Sequence, residues 1–198
     1  MNLIRKAYLL LIIPFVLATA CSSGTNGNAE DAEQANTDSS EVTETEEKEE
    51  KERISPLHNV SQSFNGHEVR IQYGAPSKKG RSIWGNLVPY DRIWRTGANE
   101  ATYISLPKAA EIKGQKLEKG KYAIFTIPVK GGEWTIIFNK KWNQWGAFDY
   151  NEKEDALRIK VKPQTIEEEQ EELKFNFSDS TVYYSWAGKK IEWPIRFQ

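Results

Sequence analysis

The stretch KYAIFTIPVKGGEWTIIFNK, residues 121–140, decides the fold class of this chain. Two runs rich in branched and aromatic residues, YAIFTI and WTIIF, stand on either side of VKGG, and such runs around a glycine-containing turn are typical of a β-hairpin. Apolar residues occupy both alternating faces of each run. A strand with two apolar faces is buried on both sides, so we expect this hairpin in the middle of a packed β-sandwich.

Two further stretches alternate apolar and polar residues, which is the pattern of half-buried strands. In residues 59–74 (NVSQSFNGHEVRIQYG) the alternation is interrupted by Asn65-Gly66, and this dipeptide predicts a type I′ hairpin turn. Residues 190–197 (KIEWPIRF) place their apolar side chains on one face. Pro194 lacks the N–H that a sheet ladder uses, so we expect this last strand at a sheet edge.

The fold class that follows is all-β: a single antiparallel β-sandwich of about 8–10 short strands joined by frequent turns. It covers residues 53–198, a length that suits one domain with a substantial core. Helix signals are confined to residues 163–173 (PQTIEEEQEEL), whose glutamates favour a charged surface crossing.

Residues 1–20 have the layout of an export signal. Arg5 and Lys6 precede an apolar run, residues 7–18, which is shorter than the roughly 20 residues that span a bilayer. Small residues lead to Cys21, and the whole stretch resembles a bacterial lipoprotein signal. The resemblance implies that Cys21 is acylated and anchors the chain in a membrane, and that the residue after it, a serine, favours delivery to the outer membrane. The alternative is an ordinary cleaved secretory signal with an incidental cysteine.

Residues 21–52 form a second segment, the lipidated cysteine and an acidic linker. Residues 22–52 hold eleven Asp and Glu against two Lys and no aromatic residue. Such a composition predicts disorder, because it offers too little apolar surface to offset chain entropy. Since the whole chain carries a net charge of −1, the linker about −9 and the signal +2, residues 53–198 carry about +6. A mildly basic domain favours anionic envelope partners such as acidic glycans, unless the excess is only a solvated surface.

The sequence offers no recognised metal, cofactor, nucleophile or nucleic-acid motif. Cys21 is the only cysteine, which excludes an internal disulfide, and His58 and His67 are the only histidines, without the spacing of a zinc site. Residues 149–155 (DYNEKED) lack the glycine and spacing of a calcium loop. No GxSxG elbow is present, and neither an arginine-rich helix nor another nucleic-acid-binding pattern occurs. We therefore expect no cofactor and no nucleic acid partner.

The first candidate site lies in WRTGANEAT, residues 94–102. It contains Trp94, Arg95, Asn99 and Glu100 around Gly97. One interpretation is a tight hairpin in which Gly97 supplies unusual backbone angles, Arg95 pairs with Glu100 and Asn99 bonds its own backbone. The other is a ligand clamp in which Arg95 binds an anion or carboxylate while Asn99 and Glu100 orient a polar ligand.

The second candidate site lies in KKWNQWGAFDY, residues 140–150. Trp142 and Trp145 stand three residues apart, with Gln144 between them and Asp149 downstream. A loop indole can stack on a sugar ring while amide side chains bond its hydroxyls; alternatively these indoles cap the sandwich with their N–H groups paired to loop carbonyls. Glycoside hydrolysis needs two carboxylates, and Glu100 with Asp149 is the best available pair.

Four stretches together resemble one family of exported bacterial proteins, catalogued as a domain of unknown function and numbered 2911 in that series. They are residues 80–102 (GRSIWGNLVPYDRIWRTGANEAT), 117–128 (LEKGKYAIFTIP), 133–150 (EWTIIFNKKWNQWGAFDY) and 155–163 (DALRIKVKP). The resemblance is strongest between Val69 and Pro163. It implies an exported, mostly β domain with no assigned reaction, and it provides no catalytic residues.

Three functions are consistent with the sequence. The first is a non-catalytic, membrane-anchored binding module for a glycan or other polar envelope ligand, using residues of both candidate sites. The second is a carbohydrate-active hydrolase that uses Glu100 and Asp149. The third is an accessory subunit that docks another envelope protein.

Overall fold

The computed structural model describes residues 53–197. The predicted signal, the acylation at Cys21 and the acidic linker fall on residues 1–52, outside the described residues. Twelve strands form within the described range. In chain order they are β1 (Leu57–Phe64), β2 (His67–Gly74), β3 (Tyr103–Leu106), β4 (Ala110–Ile112), β5 (Gln115–Leu117), β6 (Gly120–Ile127), β7 (Trp134–Asn139), β8 (Asp155–Val161), β9 (Gln164–Thr165), β10 (Lys174–Ser178), β11 (Thr181–Trp186) and β12 (Lys189–Phe197), with one 3₁₀ turn at Glu152–Glu154.

The strands form two antiparallel sheets. The first sheet has the order β1-β2-β3-β6-β7-β8, and the second has the order β10-β11-β12-β4-β5 with β9 paired to β12. The predicted all-β sandwich is confirmed. The strand number exceeds the expected 8–10 because β4, β5 and β9 are only two or three residues long, too short to leave an alternating pattern in the sequence.

Within residues 53–197 no helix is long and apolar enough to cross a bilayer.

The main core lies between the facing sides of the two sheets. Alternate residues of each strand point into it, as the period of two requires. The alternating apolar side chains of β2, β8 and β12 are all buried there: Val69, Ile71, Tyr73, Leu157, Ile159, Val161, Ile191, Trp193, Ile195 and Phe197.

Both predicted hairpins are present. Asn65 and Gly66 join β1 to β2 with positive φ angles of 50° and 78°, which is the type I′ geometry. β6 and β7 pair antiparallel and occupy inner positions of the first sheet. Their residues are buried on both faces. The outer face is covered by loop segments rather than by the second sheet, and this outer layer is where both candidate sites lie.

The last strand, β12, lies inside the second sheet, so the edge position predicted from Pro194 is wrong. β12 pairs with β11 on one side, and on the other with β9 at Lys189 and Lys190 and with β4 from Ile195 onward. The Ile195 N–H points toward β11, where it donates to the Ser180 carbonyl at 2.9 Å. Successive N–H groups of a strand face opposite sides, so the Pro194 nitrogen faces the gap between β9 and β4, where no ladder bond is lost.

Candidate functional site

The two candidate stretches meet on the outer face of the first sheet. Glu100 and Trp145 form an antiparallel bridge. The Gly146 N–H donates to the Asn99 carbonyl at 2.9 Å, and the Ala101 N–H donates to the Gln144 carbonyl at 3.0 Å. Residues 99–101 and 144–146, although more than forty positions apart in the chain, therefore form one backbone unit.

This unit rests on a small second core. The side chains of Ala101, Ala123, Phe125 and Ile137 are buried together there, with Trp142 packed against them. The alternating outward residues of β6 and β7 supply most of this cluster, because each strand has apolar residues on both faces. The double apolar pattern that identified the hairpin therefore also creates the platform on which the loops lie.

Residues 95–102 form a closed loop beside β6. Trp94 exchanges two backbone hydrogen bonds of 2.8 Å with Thr126 of β6, and the Thr102 N–H closes the loop on the Arg95 carbonyl at 3.2 Å. The Ile124 N–H of β6 donates in turn to the Thr102 carbonyl at 2.7 Å. Apart from the bond that closes the loop, its two flanking segments thus pair with β6. The tight-hairpin interpretation is wrong for this reason.

Gly97 does not supply the unusual backbone angles that were predicted for it. Positive φ angles fall on Thr96 (53°) and Asn99 (61°), and Gly97 is not among the residues with positive φ. A Cβ added at Gly97 would lie 2.7 Å from Thr102 Oγ1. Gly74 of β2 is tighter still, since a Cβ there would lie 2.1 Å from the Ala98 carbonyl oxygen. These glycines therefore let the loop approach β2 closely.

The predicted ion pair between Arg95 and Glu100 does not form. Glu100 instead accepts a hydrogen bond at Oε1 from the guanidinium of Arg53, and Asn99 Nδ2 donates to the Ser55 carbonyl at 3.4 Å. The segment that leads into β1 therefore runs beside the loop. Arg95 is half-buried, and burial lowers the pKa of its guanidinium while the nearby Glu100 carboxylate partly opposes that shift.

Three buried polar atoms of the two stretches have no hydrogen-bond partner among the protein's own groups. They are Arg95 Nε, Glu100 Oε2 and Gln144 Oε1, which we call the polar trio, out of five such atoms in residues 53–197. The side-chain amide of Gln144 donates to the Lys141 carbonyl. That contact fixes the amide orientation, because a carbonyl oxygen can accept only from the NH₂ group. Gln144 is 7% exposed, so its free oxygen is a buried acceptor.

The two loop tryptophans have different environments. Trp142 is half-buried, its ring 5.1 Å from that of Tyr103 and covered by the Lys121 ammonium at 4.3 Å. Trp145 is 58% exposed and Phe148 is 87% exposed. The packing of the Trp142 ring agrees with the capping interpretation, whereas the Trp145 ring is left mostly exposed.

The two remaining predicted residues, Trp94 and Asp149, add no group to the polar trio. Trp94 is buried in the main core, where its ring is stacked 5.9 Å from that of Trp186 and its Nε1 donates to the Gly97 carbonyl at 3.1 Å. Trp94 therefore supports the loop from the side of the main core. Asp149 is well exposed and its carboxylate lies 3.6 Å from Lys141 Nζ. A glycosidase acid needs a carboxyl sheltered by an apolar wall, which Asp149 lacks.

Sequence reasoning missed two residues of this region. Arg53 stands at the junction with the acidic stretch, where a single arginine gives no local signal for a contact 47 positions away. Phe148 lies two residues after Gly146, in a turn-like stretch that belongs to no alternating run. A large apolar residue outside such a run is not expected in the core, and this could have identified Phe148 as exposed.

In residues 53–197, no three His, Cys, Asp or Glu side chains group closely enough to hold a metal ion. Glu100 is paired with Arg53 and Asp149 with Lys141. The unpaired atoms of the site are one donor, Arg95 Nε, and two acceptors, Glu100 Oε2 and Gln144 Oε1. The site can therefore form hydrogen bonds with a polar ligand beside the exposed indole of Trp145.

Comparison with known proteins agrees with the resemblance of the four stretches. A family model described as "Protein of unknown function (DUF2911)" matches residues 55–195. No curated protein and no solved structure matches the chain. The match covers nearly the whole described domain, from the segment before β1 to near the end of β12. This chain belongs to the DUF2911 family.

Proposed function

We propose that this chain is an exported lipoprotein, anchored in the bacterial outer membrane through an acylated Cys21, whose β-sandwich binds a polar ligand such as a glycan. The binding site is the unit formed by residues 99–101 and 144–146. The observation that carries the proposal is the polar trio beside the exposed Trp145.

The polar trio is costly in the free protein. Leaving a buried donor or acceptor unpaired costs roughly 1–3 kcal/mol per group, and native structures retain few such groups. Two of the three belong to the backbone unit and the third, Arg95 Nε, to the loop that leads into it, so a molecule bound at the unit can supply the missing partners.

The composition of the trio indicates the ligand class. Arg95 Nε is a donor, while Glu100 Oε2 and Gln144 Oε1 are acceptors. A hydroxyl both donates and accepts, so a polyhydroxylated molecule complements all three atoms. The indole of Trp145 adds an apolar face on which a sugar ring can stack. The net positive charge of residues 53–198 favours a glycan that carries carboxylates.

The test is a thermal-shift screen of the exported chain against neutral oligosaccharides, uronate oligosaccharides, nucleotide sugars, amino acids and divalent ions. A ligand at about 100 times its Kd adds roughly 2.7 kcal/mol of stability, which raises Tm by roughly 5–10 °C for a domain of this size. We expect a uronate or neutral oligosaccharide to give such a shift.

Variants assign the shift to the site. Arg95→Lys keeps the charge but removes the Nε–H donor, and Trp145→Ala removes the platform; each should abolish most of the shift. Gln115→Ala, an exposed change on β5 of the other sheet, is the matched control and should leave the shift intact. A screen in which no compound moves Tm, or a shift that survives both site variants, would contradict the proposal.

The hydrolase alternative receives no support from the geometry. Glu100 is bound by Arg53 and Asp149 lies beside Lys141, so each candidate carboxylate already has a cationic partner.

A further inference from the structure

Lys121 of β6 holds an oriented positive charge on the outer face of the first sheet. The next residue, Tyr122, points into the main core, so Lys121 points outward. Its ammonium lies 4.3 Å from the centre of the Trp142 ring and 5.2 Å from that of Tyr103, and the two rings are 5.1 Å apart. Because aromatic rings attract a cation over their faces, the position of this ammonium is defined although the residue is exposed.

This ammonium is not bound to a carboxylate of the described chain. Within that part of the protein Lys121 contacts the two rings and forms neither a hydrogen bond nor an ion pair. Glu118, three positions earlier, is paired with Lys116, and Glu68 of β2 is paired with Arg70. An ammonium has three N–H donors, so Lys121 can bind an anionic group without first breaking an ion pair.

The rings that hold the ammonium are attached to the proposed ligand site. Trp142 precedes Gln144 by two positions, and two residues span at most about 7 Å. Trp142 also packs against the small second core that contains Ala101, whose N–H donates to the Gln144 carbonyl at 3.0 Å. A ligand seated on the polar trio can therefore reach Lys121 by extending across Trp142.

The charges of the site leave an excess of cations. The two candidate stretches contain two carboxylates, Glu100 and Asp149, and each is paired with a cation. Arg95 is half-buried, and among the described residues its guanidinium forms no ion pair. Arg95 and Lys121 are thus two positive charges that the fold leaves unpaired. Charge complementarity therefore favours a ligand that carries carboxylates.

The surface beside Lys121 also carries groups that suit a sugar. Ser105 of β3 lies directly opposite Lys121 in the ladder, and Gln72 of β2 lies opposite Tyr103. Their neighbours Ile71 and Ile104 are buried in the main core, so these polar side chains are on the outer face. Hydroxyl and amide groups both bond to sugar hydroxyls. The ligand that fits this surface is polyhydroxylated as well as anionic.

We propose that Lys121 forms a second subsite, which binds a carboxylate of an oligosaccharide whose adjoining sugar occupies the polar trio. The ligand is accordingly an acidic oligosaccharide with uronate units. Trp142 acts as a positioning residue, since its ring holds the ammonium. This inference rests on the proposed function, because it extends the same ligand beyond the trio.

The test compares one oligosaccharide in two forms: an oligogalacturonate, and the same chain with its carboxylates reduced to primary alcohols. Calorimetry with the full chain measures the Kd of each form. The parent chain should bind the acidic form more tightly, and the difference should shrink as NaCl is added, because salt screens exposed charges. Lys121→Gln should weaken binding of the acidic form about fivefold, the upper end for an exposed ion pair, and that of the reduced form less than twofold.

Two further variants are the controls. Lys121→Arg keeps the charge and should retain the preference for the acidic form. Lys174→Gln removes an exposed lysine of β10, in the other sheet, and should leave both Kd values unchanged. If Lys174→Gln weakens binding of the acidic form as much as Lys121→Gln does, the effect is one of net charge and the second subsite is wrong.

The outcomes distinguish this inference from the proposed function. If the parent chain binds both forms equally, or if Lys121→Gln weakens both by the same factor, the second subsite is wrong. The ligand site at the trio then stands, provided that Trp145→Ala abolishes binding of the reduced form. If neither form binds to the parent chain, both proposals are contradicted.

Discussion

The seven tryptophans of this protein divide into two groups that differ in how the fold uses them. Five lie in or against the main core: Trp84, Trp94, Trp134, Trp186 and Trp193. Four of these five donate Nε1 to a backbone carbonyl at 3.0–3.1 Å. The other two, Trp142 and Trp145, belong to the outer loop, and Trp145 is mostly exposed.

This difference separates tryptophans that stabilise the fold from a tryptophan whose ring is free to contact a ligand. A buried indole contributes a large apolar area and is satisfied only when its N–H has a partner, and the core tryptophans largely meet that condition. Trp145 contributes little buried area, although the backbone of its loop is fixed by the bridge to Glu100. A large side chain that the fold holds in place without burying is the feature we connect with function.

The largest expected difference is between Trp186→Ala and Trp145→Ala. Trp186 is 1% exposed and packs against Trp84 and Trp94, so truncation should lower the free energy of unfolding by about 3–5 kcal/mol. Trp145→Ala should change it by no more than about 0.5 kcal/mol, as surface substitutions usually do. Urea denaturation measures both. A similar loss in the two variants would show that the loop indole is structural.

The next largest effect concerns the close contact between Gly74 of β2 and Ala98, which positions the loop. Gly74→Ala places a methyl group where the Ala98 carbonyl lies, and such overpacking should cost about 1–3 kcal/mol. The loop should also separate from β2, so the Ala98 and Gly146 amides should lose hydrogen-exchange protection.

The matched control for this change is Gly114→Ala. Gly114 has a φ of +78° and no neighbouring atom within 4 Å of an added Cβ, so its substitution strains only its own turn. It should lower stability without changing exchange in the loop. Equal loss of loop protection in both variants would contradict the role of Gly74.

These contacts also mark how far sequence reasoning extends. The period of two predicted the two hairpins and the one-sided apolar faces of β2 and β12, because those features depend on local alternation. The bridge between residues 99–101 and 144–146 depends on the platform under both loops, and no local pattern encodes it. Both stretches could be selected as polar and aromatic, but their joining could not be predicted.

The errors have the same origin. Pro194 was assigned to an edge because a missing N–H is locally visible, whereas the gap between β9 and β4 is a property of the assembled sheet. Arg95 and Glu100 were expected to pair because they are close in sequence, but Arg53 approaches Glu100 from the chain's N-terminal side. Each error concerns a partner that is chosen by tertiary structure.

A smaller effect is expected from the ion pair at the loop. Glu100→Gln removes the charge that binds Arg53, and because the pair is partly buried we expect a loss of about 1 kcal/mol. Glu118→Gln is the control, since the pair of Glu118 with Lys116 is well exposed and should contribute close to nothing. Unfolding free energies at low and high salt measure both. If the two substitutions are equivalent, Arg53 does not hold the N-terminal segment against the loop.

The smallest expected effect is a loss of stability at alkaline pH, through Tyr150 at the far end of the loop. Burial, and then the hydrogen bond from the Tyr150 hydroxyl to Asp155, raise the pKa of Tyr150 from its ordinary value near 10 to about 12. The folded state therefore holds this proton more tightly than the unfolded state. The contribution to stability is complete below pH 10 and is lost as the pH rises to about 12.

Comparison with Tyr150→Phe isolates that contribution. The parent chain should lose stability more steeply than the variant between pH 10 and 12, because only the parent carries the shifted phenol. Urea midpoints across this interval measure the difference. Parallel pH profiles would show that the hydroxyl does not anchor the loop.

The division of the tryptophans is tested most directly by the indole ¹⁵N–¹H spectrum of the protein, assigned with single Trp→Phe variants and titrated with uronate oligosaccharides. The proposed site predicts that the Trp145 resonance, and to a lesser extent that of Trp142, shifts with added ligand while the five core resonances stay in place. A titration that moves core resonances and leaves Trp145 unchanged, or that moves none of the seven, would contradict a ligand site at the bridge between the two loops.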